Sequence, residues 1–279
     1  MQTSSTAKQT DKAGVTLLLY GESGAGKTTA LGTLPNDKTL IIDIDGGLSV
    51  LRHRDIESVR ITESLDNLKD TFDEISSSPN ALGFKCVCLD NASELEKFML
   101  IHLAKDNSSG MPTLNDYGVV GFKMRDYCRR LRDLREKGVN VVITAWEMPL
   151  ELEQSDGEVR TRLYPMVGRK FAPELCGMFD IVARLEIVED TKSATGETKR
   201  IMRLDCTEKI VAKNRFGDPK RCGPDLGKLF EYVKRQPAKE AAPAKQEPAT
   251  QPATTQAAAT KTAPATTATR GRPATTTTK

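Results

Sequence analysis

The sequence has few of the residues that build metal sites or disulfide frameworks. Its 279 residues include two histidines and six cysteines, and no two cysteines form a C-x-x-C pair. This pattern argues against a zinc site, and several of the cysteines lie in apolar stretches, where a thiol usually serves as a small core side chain. The cysteine pattern therefore predicts a reduced, intracellular protein without structural disulfides.

Long apolar runs are also missing. No stretch approaches the roughly 20 apolar residues that a membrane-spanning helix needs. The N-terminal residues are polar and carry no hydrophobic leader segment. From these two absences we expect a soluble, cytoplasmic protein that does not bind a membrane.

The C-terminal segment, residues 236–279, contains no aromatic residue and no Leu, Ile or Val. Such a segment cannot bury enough apolar surface to offset the entropy of ordering it, so we predict a disordered tail. The polar residues 1–13 predict a flexible lead, which leaves 14–235 as one globular domain. The net charge of +3 is unevenly divided, because the tail carries +4 and the lead +1, which leaves −2 on the domain. Any nucleic-acid surface on the domain is therefore expected to be a local patch.

One glycine-rich stretch organises the rest of the chain. Residues 21–28, GESGAGKT, fit the pattern G-x-x-x-x-G-K-[ST] of a phosphate-binding loop. An apolar run before it, Val15–Tyr20, predicts a buried strand, and the residues after it can begin a helix. The stretch therefore predicts an ATP site whose binding residues are Gly21, Glu22, Ser23, Gly24, Ala25, Gly26, Lys27, Thr28 and Thr29.

Each part of this loop has a chemical role. The glycines let the backbone turn tightly and direct its N–H groups at phosphate oxygens. Lys27 supplies a point charge for the β- and γ-phosphates, and the Thr28 hydroxyl can hold Mg²⁺. ATP and Mg²⁺ are thus the expected cofactors.

Two further predicted strands, Lys38–Asp45 and Phe84–Asp90, end in acidic residues. Ligands of parallel sheets lie beyond the carboxyl ends of the strands, so these acids are expected near the phosphates. Asp90 is the predicted partner of the Mg²⁺ ion, together with Thr28. A turn capped by an acidic side chain is the alternative explanation of the first strand end.

The residue after Asp90 is Asn91, whereas most AAA+ ATPases carry a glutamate there. The acid that activates water is therefore expected elsewhere, and Asp45 is the first candidate, with Glu94 as the second. Thr144 and Glu147, around the end of a fourth apolar strand, are weaker candidates for contacting the γ-phosphate.

The remaining stretches give less specific predictions. The single tryptophan, Trp146, is expected to pack in the core, with stacking on a base as the alternative. A helix over 115–137 carries many basic residues, which predict a solvated face or, alternatively, contact with a phosphate backbone. Alternating residues predict β-hairpins around Asp156-Gly157 and between Phe179–Ile187 and Arg200–Cys206.

Near the end of the domain, Lys213 and Arg215 lie two residues apart at a predicted strand end, so both cations point to the same side. They are candidates for stabilising charge on a γ-phosphoryl group, in the same subunit or in a neighbouring one. A solvated strand end is the alternative.

Taken in order, these motifs resemble the RecA-like recombinase core, and most closely the phage nucleotide-binding proteins of the Sak type, which are associated with single-strand annealing. The matching stretches span about Leu17–Gly217 and are GESGAGKTT, LIIDIDGGLSVL, VCLDNASEL, VVITAWEMP, GRKFAPELCGMFDIVARLE and VAKNRFG. The resemblance implies an α/β fold with a mostly parallel central sheet, flanking helices and added β-hairpins.

The resemblance also implies roles for particular residues. Asp45 matches the glutamate that activates water in RecA-like proteins, and the basic pair Lys213 and Arg215 matches residues that reach ATP across a subunit interface. The segments Lys105–Asp116 and Glu147–Lys170 match the two DNA-contacting loops. The expected partners are single-stranded DNA, further copies of the chain in a ring or filament, and a single-strand-binding protein; the location would be the host cytoplasm if a phage encodes it.

Three functions fit these observations. The first is a Mg²⁺-dependent, DNA-stimulated ATPase of recombination, annealing or replication. The second is a P-loop kinase of a small molecule, in which the Gly168-Arg169-Lys170 stretch would serve as a lid. The third is a nucleotide-gated DNA-binding module that does not hydrolyse ATP. The first predicts turnover that rises with DNA, the second turnover that depends on an added acceptor, and the third nucleotide binding without turnover.

Overall fold

The structure, a computed structural model, describes residues 13–77, 83–153, 157–190 and 196–235. The predicted tail and nearly all of the predicted lead lie outside these ranges. The strands are β1 (Thr16–Tyr20), β2 (Thr39–Asp43), β3 (Glu57–Arg60), β4 (Cys86–Asp90), β5 (Asn140–Ala145), β6 (Glu147–Glu153), β7 (Val159–Pro165), β8 (Ile181–Glu189), β9 (Thr198–Arg203), β10 (Lys213–Asn214) and β11 (Arg221–Cys222). The helices are α1 (Lys27–Leu31), α2 (Leu65–Ser77), α3 (Ala92–Ala104), α4 (Leu114–Asp133), α5 (Phe171–Met178) and α6 (Leu226–Arg235).

The central feature is a sheet in the order β11-β9-β8-β1-β5-β4-β2-β3, with β10 paired to β8. The six strands from β8 to β3 run parallel to one another. Every residue of β1, β2, β4 and β5 is buried, which explains why these strands are continuous apolar runs rather than alternating ones. The predicted RecA-like α/β fold is confirmed.

Two hydrophobic layers cover the sheet, one on each face. Leu18 and Tyr20 of β1 pack with residues of α2, α3, α4 and α5, whereas Leu17 and Leu19 pack with residues of α1 and α6. This division follows from the strand geometry, because successive side chains point to opposite faces. The sheet is thereby held rigidly, and the loops at its edges are presented from a fixed frame.

The antiparallel parts of the fold lie where the sequence predicts hairpins. β6 pairs with β7 as a separate two-stranded sheet, and β8 pairs with β9 at one end of the main sheet. The turn residue Asp156 lies outside the described residues, and β9 begins at Thr198 rather than at the predicted Arg200.

The long basic helix is shorter than predicted. The α-helical part of α4 ends at Asp133, and a 3-10 turn follows it from Leu134 to Lys137. Its first turn is held by a reciprocal cap: the Thr113 hydroxyl accepts from the Asp116 N–H, and the Asp116 carboxylate accepts from the Thr113 N–H. None of the helices in the described ranges is long and apolar enough to cross a membrane.

Candidate functional site

The predicted site residues follow strands that end at the same edge of the sheet. In register, Tyr20 of β1 lies beside Ala145 of β5, and Asp43 of β2 lies beside Asp90 of β4. The loops beyond these ends enclose a cleft of about 380 Å³, which is lined by Ser23, Gly24, Gly26, Lys27, Thr28, Thr29, Asp45, Gly47, Val50, Asp90, Asn91, Trp146 and Arg200. The predicted loop, the second strand end and the third strand end thus meet in one place.

The conformation of the loop requires glycine at several positions. Gly24 and Gly26 have φ angles of +79° and +103°, in the region that other residues avoid. A Cβ atom on Gly21 would lie 2.4 Å from the carbonyl oxygen of Leu185 on β8. The loop therefore lies against the neighbouring strand while its own backbone stays open to a ligand.

Lys27 is held at the loop by its own backbone. Its Nζ donates hydrogen bonds to the carbonyl oxygens of Gly21 at 2.9 Å and Glu22 at 2.8 Å. Burial lowers the pKa of Lys27, and the nearby carboxylates of Asp90, Glu147 and Asp45 oppose that shift. An ammonium group carries three donors, so one N–H remains for a phosphate oxygen.

Asp90 sits between two hydroxyl groups. Thr28 Oγ1 donates to Asp90 Oδ2 at 2.7 Å, and Thr144 Oγ1 donates to Asp90 Oδ1. Burial raises the pKa of Asp90, and the two hydrogen bonds oppose that rise. The paired Thr28 hydroxyl and Asp90 carboxylate are the donor set with which P-loop proteins hold Mg²⁺, so the residues present fit the ion. Thr144, a candidate γ-phosphate contact, instead orients the Asp90 carboxylate.

Asp45 is held by the residue that follows Asp90. Asn91 Nδ2 donates to Asp45 Oδ2 at 2.9 Å, and Asn91 Oδ1 accepts from the Glu94 N–H at 2.8 Å, capping α3. Asn91 is buried whereas Asp45 is exposed to the cleft. Where most AAA+ ATPases carry a glutamate, this chain therefore has the carboxamide of Asn91, which can orient the carboxylate of Asp45. Sequence reasoning missed this role of Asn91.

The other acids near the strand ends have different partners. Asp43 pairs with Arg60 at 2.7 Å and accepts from the Gly46 N–H at 2.7 Å, so it stabilises the turn. Glu94 pairs with Lys97 on the surface of α3 and does not line the cleft. Glu147 pairs with Arg184 at 2.8 Å. Of the predicted bases, Asp45 is the one at the cleft.

Trp146 is not a core residue, so the prediction for it was wrong. It lies half-buried at the cleft, directly after β5. Its backbone N–H donates to Ser93 Oγ at 2.9 Å, and Lys97 Nζ lies 4.0 Å from the ring centroid. Because Trp146 lies just beyond the end of the buried strand, its side chain is at the edge of the sheet and not in the hydrophobic layers that cover its faces.

Lys213 and Arg215 point to the same side, as predicted, but at the opposite edge of the sheet. Lys213 pairs in register with Val182, near the start of β8, and its Nζ donates to the Cys176 carbonyl at 2.7 Å. Arg215 pairs with Asp180 at 3.2 Å. The phosphate-binding loop follows the other end of β1, so the two cations do not line the cleft of their own chain.

The basic residues of α4 are mostly engaged within the protein. Five arginines of α4 and the 3-10 turn after it make ion pairs with acidic residues: Arg125, Arg129, Arg130, Arg132 and Arg135. Four of these pairs join α4 and its 3-10 turn to other elements, whereas Arg132 pairs with its sequence neighbour Asp133. The arginine side chains remain 24–52% exposed, so the predicted solvated face also carries ion pairs.

Arg200 is a cleft residue that sequence reasoning missed. Its Nε donates to the Ala25 carbonyl oxygen at 3.0 Å, from the middle of β9. The sequence around it is a short basic strand without a recognisable motif, so only the pairing of β9 with β8 brings it to the loop.

The parallel sheet, the phosphate-binding loop and the Thr28–Asp90 pair define a P-loop NTPase with a RecA-like core. The sequence profile of the AAA domain family matches residues 13–216, and the chain belongs to that family. A solved structure of a KaiC-like protein from the hyperthermophilic archaeon Pyrococcus horikoshii OT3 is 17% identical, covers 68% of this chain and 78% of its own, and has a TM-score of 0.38. No curated protein matches the sequence.

Proposed function

We propose that the protein is a Mg²⁺-dependent ATPase that acts on single-stranded DNA in recombination, annealing or replication, in the manner of the Sak-type phage proteins it resembles. The single observation that carries the ATPase part is the Asn91–Asp45 hydrogen bond, which holds a carboxylate at the cleft beside Lys27. Membership of the AAA domain family supports ATP hydrolysis over transfer to a small acceptor.

In this proposal each cleft residue has a separate task. Thr28 Oγ1 and Asp90 would hold Mg²⁺, which neutralises charge on the phosphate oxygens when bound. Lys27 binds a terminal phosphate oxygen with its remaining N–H. Asp45 orients the attacking water and accepts its proton, and Asn91 keeps the carboxylate in position.

An aromatic surface on α4 supports single-stranded DNA as the partner. Tyr117 and Phe122 are 56% and 73% exposed, although phenylalanine usually lies inside and tyrosine is usually partly buried. Bases of single strands stack on such exposed rings with little regard to sequence. Lys123, next to Phe122, has no ion-pair partner among the described residues and can contact the phosphate backbone.

A second group of cations lies beside this surface. Arg125, one turn after Phe122, lies over the ring of Phe171 with its guanidinium carbon 5.2 Å from the centroid. Arg169 and Lys170 directly precede that phenylalanine, and within the described ranges neither has an ion-pair partner. Phe171 itself is buried, and Arg125 is also paired with Glu174. Arg169 and Lys170 are therefore the cations of this group that can contact a phosphate backbone.

The position of Lys213 and Arg215 supports assembly of several copies. The pair lies away from the cleft of its own chain, so a role in catalysis requires the cleft of a neighbour. A ring or filament on DNA would bring the two edges together, as the resemblance to RecA-like proteins implies. A single-strand-binding protein, the further partner we propose, would bind at a surface other than the contact between copies of the chain.

The proposal is tested by measuring ATP hydrolysis with and without single-stranded DNA at two protein concentrations. We expect turnover to rise with DNA and with protein concentration. The double variant Tyr117→Ala/Phe122→Ala should lose most of the DNA stimulation, whereas Tyr232→Ala, which removes an exposed ring on α6, should keep it.

Other results would reject parts of the proposal. Stimulation that survives in the double variant, with thermal unfolding unchanged, moves the DNA site away from α4. Nucleotide binding without turnover under any condition favours the non-hydrolysing module. Turnover that depends on an added small-molecule acceptor favours the kinase.

A further inference from the structure

Arg200 reaches the phosphate-binding loop from a distant part of the fold. It belongs to β9, which is separated from β1 by β8, and yet its Nε donates to the Ala25 carbonyl oxygen at 3.0 Å. Its Cδ and Nε atoms lie so close to the loop that a Cβ atom on Gly26 would be 3.1 Å from both. The side chain is therefore fixed against the loop through one of its nitrogens.

The rest of the guanidinium group is free. Neither terminal nitrogen of Arg200 has a hydrogen-bond or ion-pair partner among the residues that the structure describes. Other cations on the same strand are engaged: Lys199 pairs with Asp190 at 3.0 Å, and Arg203 pairs with Glu186 at 2.9 Å. Arg200 also lines the cleft that contains Lys27. Its position is thus unlike that of an ordinary surface arginine.

A guanidinium group with two free nitrogens is suited to binding phosphate through two parallel hydrogen bonds. In a phosphate-binding loop the backbone N–H groups cradle the α- and β-phosphates, whereas the lysine reaches the β- and γ-phosphates. Arg200 contacts Ala25 and Gly26, which belong to the backbone part of the loop. The contact therefore lies on the side of the α- and β-phosphates.

We propose that Arg200 binds the α- and β-phosphates of the bound nucleotide and so links β9 to the phosphate-binding loop. The inference rests on the nucleotide binding proposed above and adds a phosphate-binding residue that the loop motif does not contain. Because ATP and ADP share the α- and β-phosphates, Arg200 should contribute equally to the binding of both.

The test is isothermal titration of the full chain with ATP and with ADP in the presence of Mg²⁺. Arg200→Ala should weaken both nucleotides by about tenfold or more, since each hydrogen bond to a charged group contributes substantially. Lys199→Ala, which removes the adjacent cation on the same hairpin, should bind both as the wild type does. Arg200→Gln keeps a polar side chain without the charge and should also weaken both nucleotides. Arg200→Lys keeps the charge but not the planar guanidinium group, and it should restore only part of the affinity.

Three results would overturn the inference. Unchanged affinity in Arg200→Ala and Arg200→Gln would show that the arginine does not contact the nucleotide. A loss confined to ATP would place the guanidinium at the γ-phosphate instead. Absence of nucleotide binding by the wild type would overturn the proposed function itself, whereas the first two results leave that function standing.

Discussion

Asn91 donates a hydrogen bond from Nδ2 to Oδ2 of Asp45 across 2.9 Å, and the oxygen of the same amide caps α3. The contact exists because β2 and β4 are neighbours, with Asp43 in register with Asp90. Residues just beyond the two strand ends therefore lie side by side. A buried asparagine at the start of a helix therefore holds the exposed carboxylate in position, and both residues line the cleft.

The first prediction concerns this pair. Asp45→Asn should keep nucleotide binding and lower the hydrolysis rate by roughly 10²- to 10⁴-fold, because the amide cannot accept a proton from water. Asn91→Ala should lower kcat on the order of 100-fold with a smaller change in KM, since the base loses its orientation. Steady-state kinetics measures both. Normal turnover in Asp45→Asn would assign the base to another acid, with Glu94 and Glu147 the next to substitute.

The second prediction concerns catalysis across a subunit interface. Lys27→Ala should abolish hydrolysis, because it removes the charge that binds the terminal phosphate. Lys213→Ala should also abolish it, because the neighbouring subunit's cleft then lacks the lysine ammonium group. A mixture of the two variants should recover part of the activity, since some interfaces combine an intact cleft with an intact Lys213.

The mixture is compared with each variant alone at the same total concentration. Activity that stays at the level of the separate variants would contradict a role of Lys213 in a neighbouring cleft. Unchanged ATPase activity in Lys27→Ala would contradict the site assignment as a whole.

The third prediction concerns stability at the other edge of the sheet. Asp180 is buried, and its carboxylate accepts hydrogen bonds from Thr16 and pairs with Arg135 and Arg215. Asp180→Ala should lower the free energy of unfolding by about 3–5 kcal/mol, because it leaves a partly buried arginine without its partner. Urea unfolding measures the change.

The matched control is an exposed pair on α6. Glu231→Ala removes the partner of Arg235, at 3.2 Å, and should change the free energy of unfolding by no more than about 0.5 kcal/mol. If Asp180→Ala behaved like this control, the Asp180 network would not be a main contribution to stability.

The fourth prediction concerns the reactivity of the six free thiols. Burial raises the pKa of Cys128 and of Cys176 to about 12, and it raises the pKa of Cys222 to about 11. These thiols stay protonated at pH 8 and should react slowly with a disulfide reagent. Cys206 is exposed and should react first.

The measurement is the time course of thiol labelling at pH 8, native and in denaturant. Cys206→Ser should remove the fast phase, and denaturant should make the buried thiols reactive. A second fast thiol in the native Cys206→Ser variant would contradict the burial of four of the other cysteines or the raised pKa of the partly buried Cys222.

The features that depend on neighbouring residues could be predicted from the amino-acid sequence alone. A buried strand, a glycine-rich loop and a following helix are encoded in the single stretch from Val15 to Leu31, so the phosphate-binding loop is predictable. The apolar runs that end in Asp43 and Asp90 likewise predict parallel strands and acids at one edge of the sheet. Local spacing is sufficient for these features because each is formed by residues close together in the chain.

The contacts between distant segments, in contrast, could be read only from the folded chain. The pairing of β9 with β8 brings Arg200 to the loop, and the pairing of β2 with β4 brings Asn91 to Asp45. β10 pairs antiparallel to the start of β8, so Lys213 lies at the sheet edge away from the cleft. The sequence predicted only that Lys213 and Arg215 point to the same side. These relationships depend on which strands pair and in which register, and that is set by the packing of both faces of the sheet rather than by any one stretch of sequence.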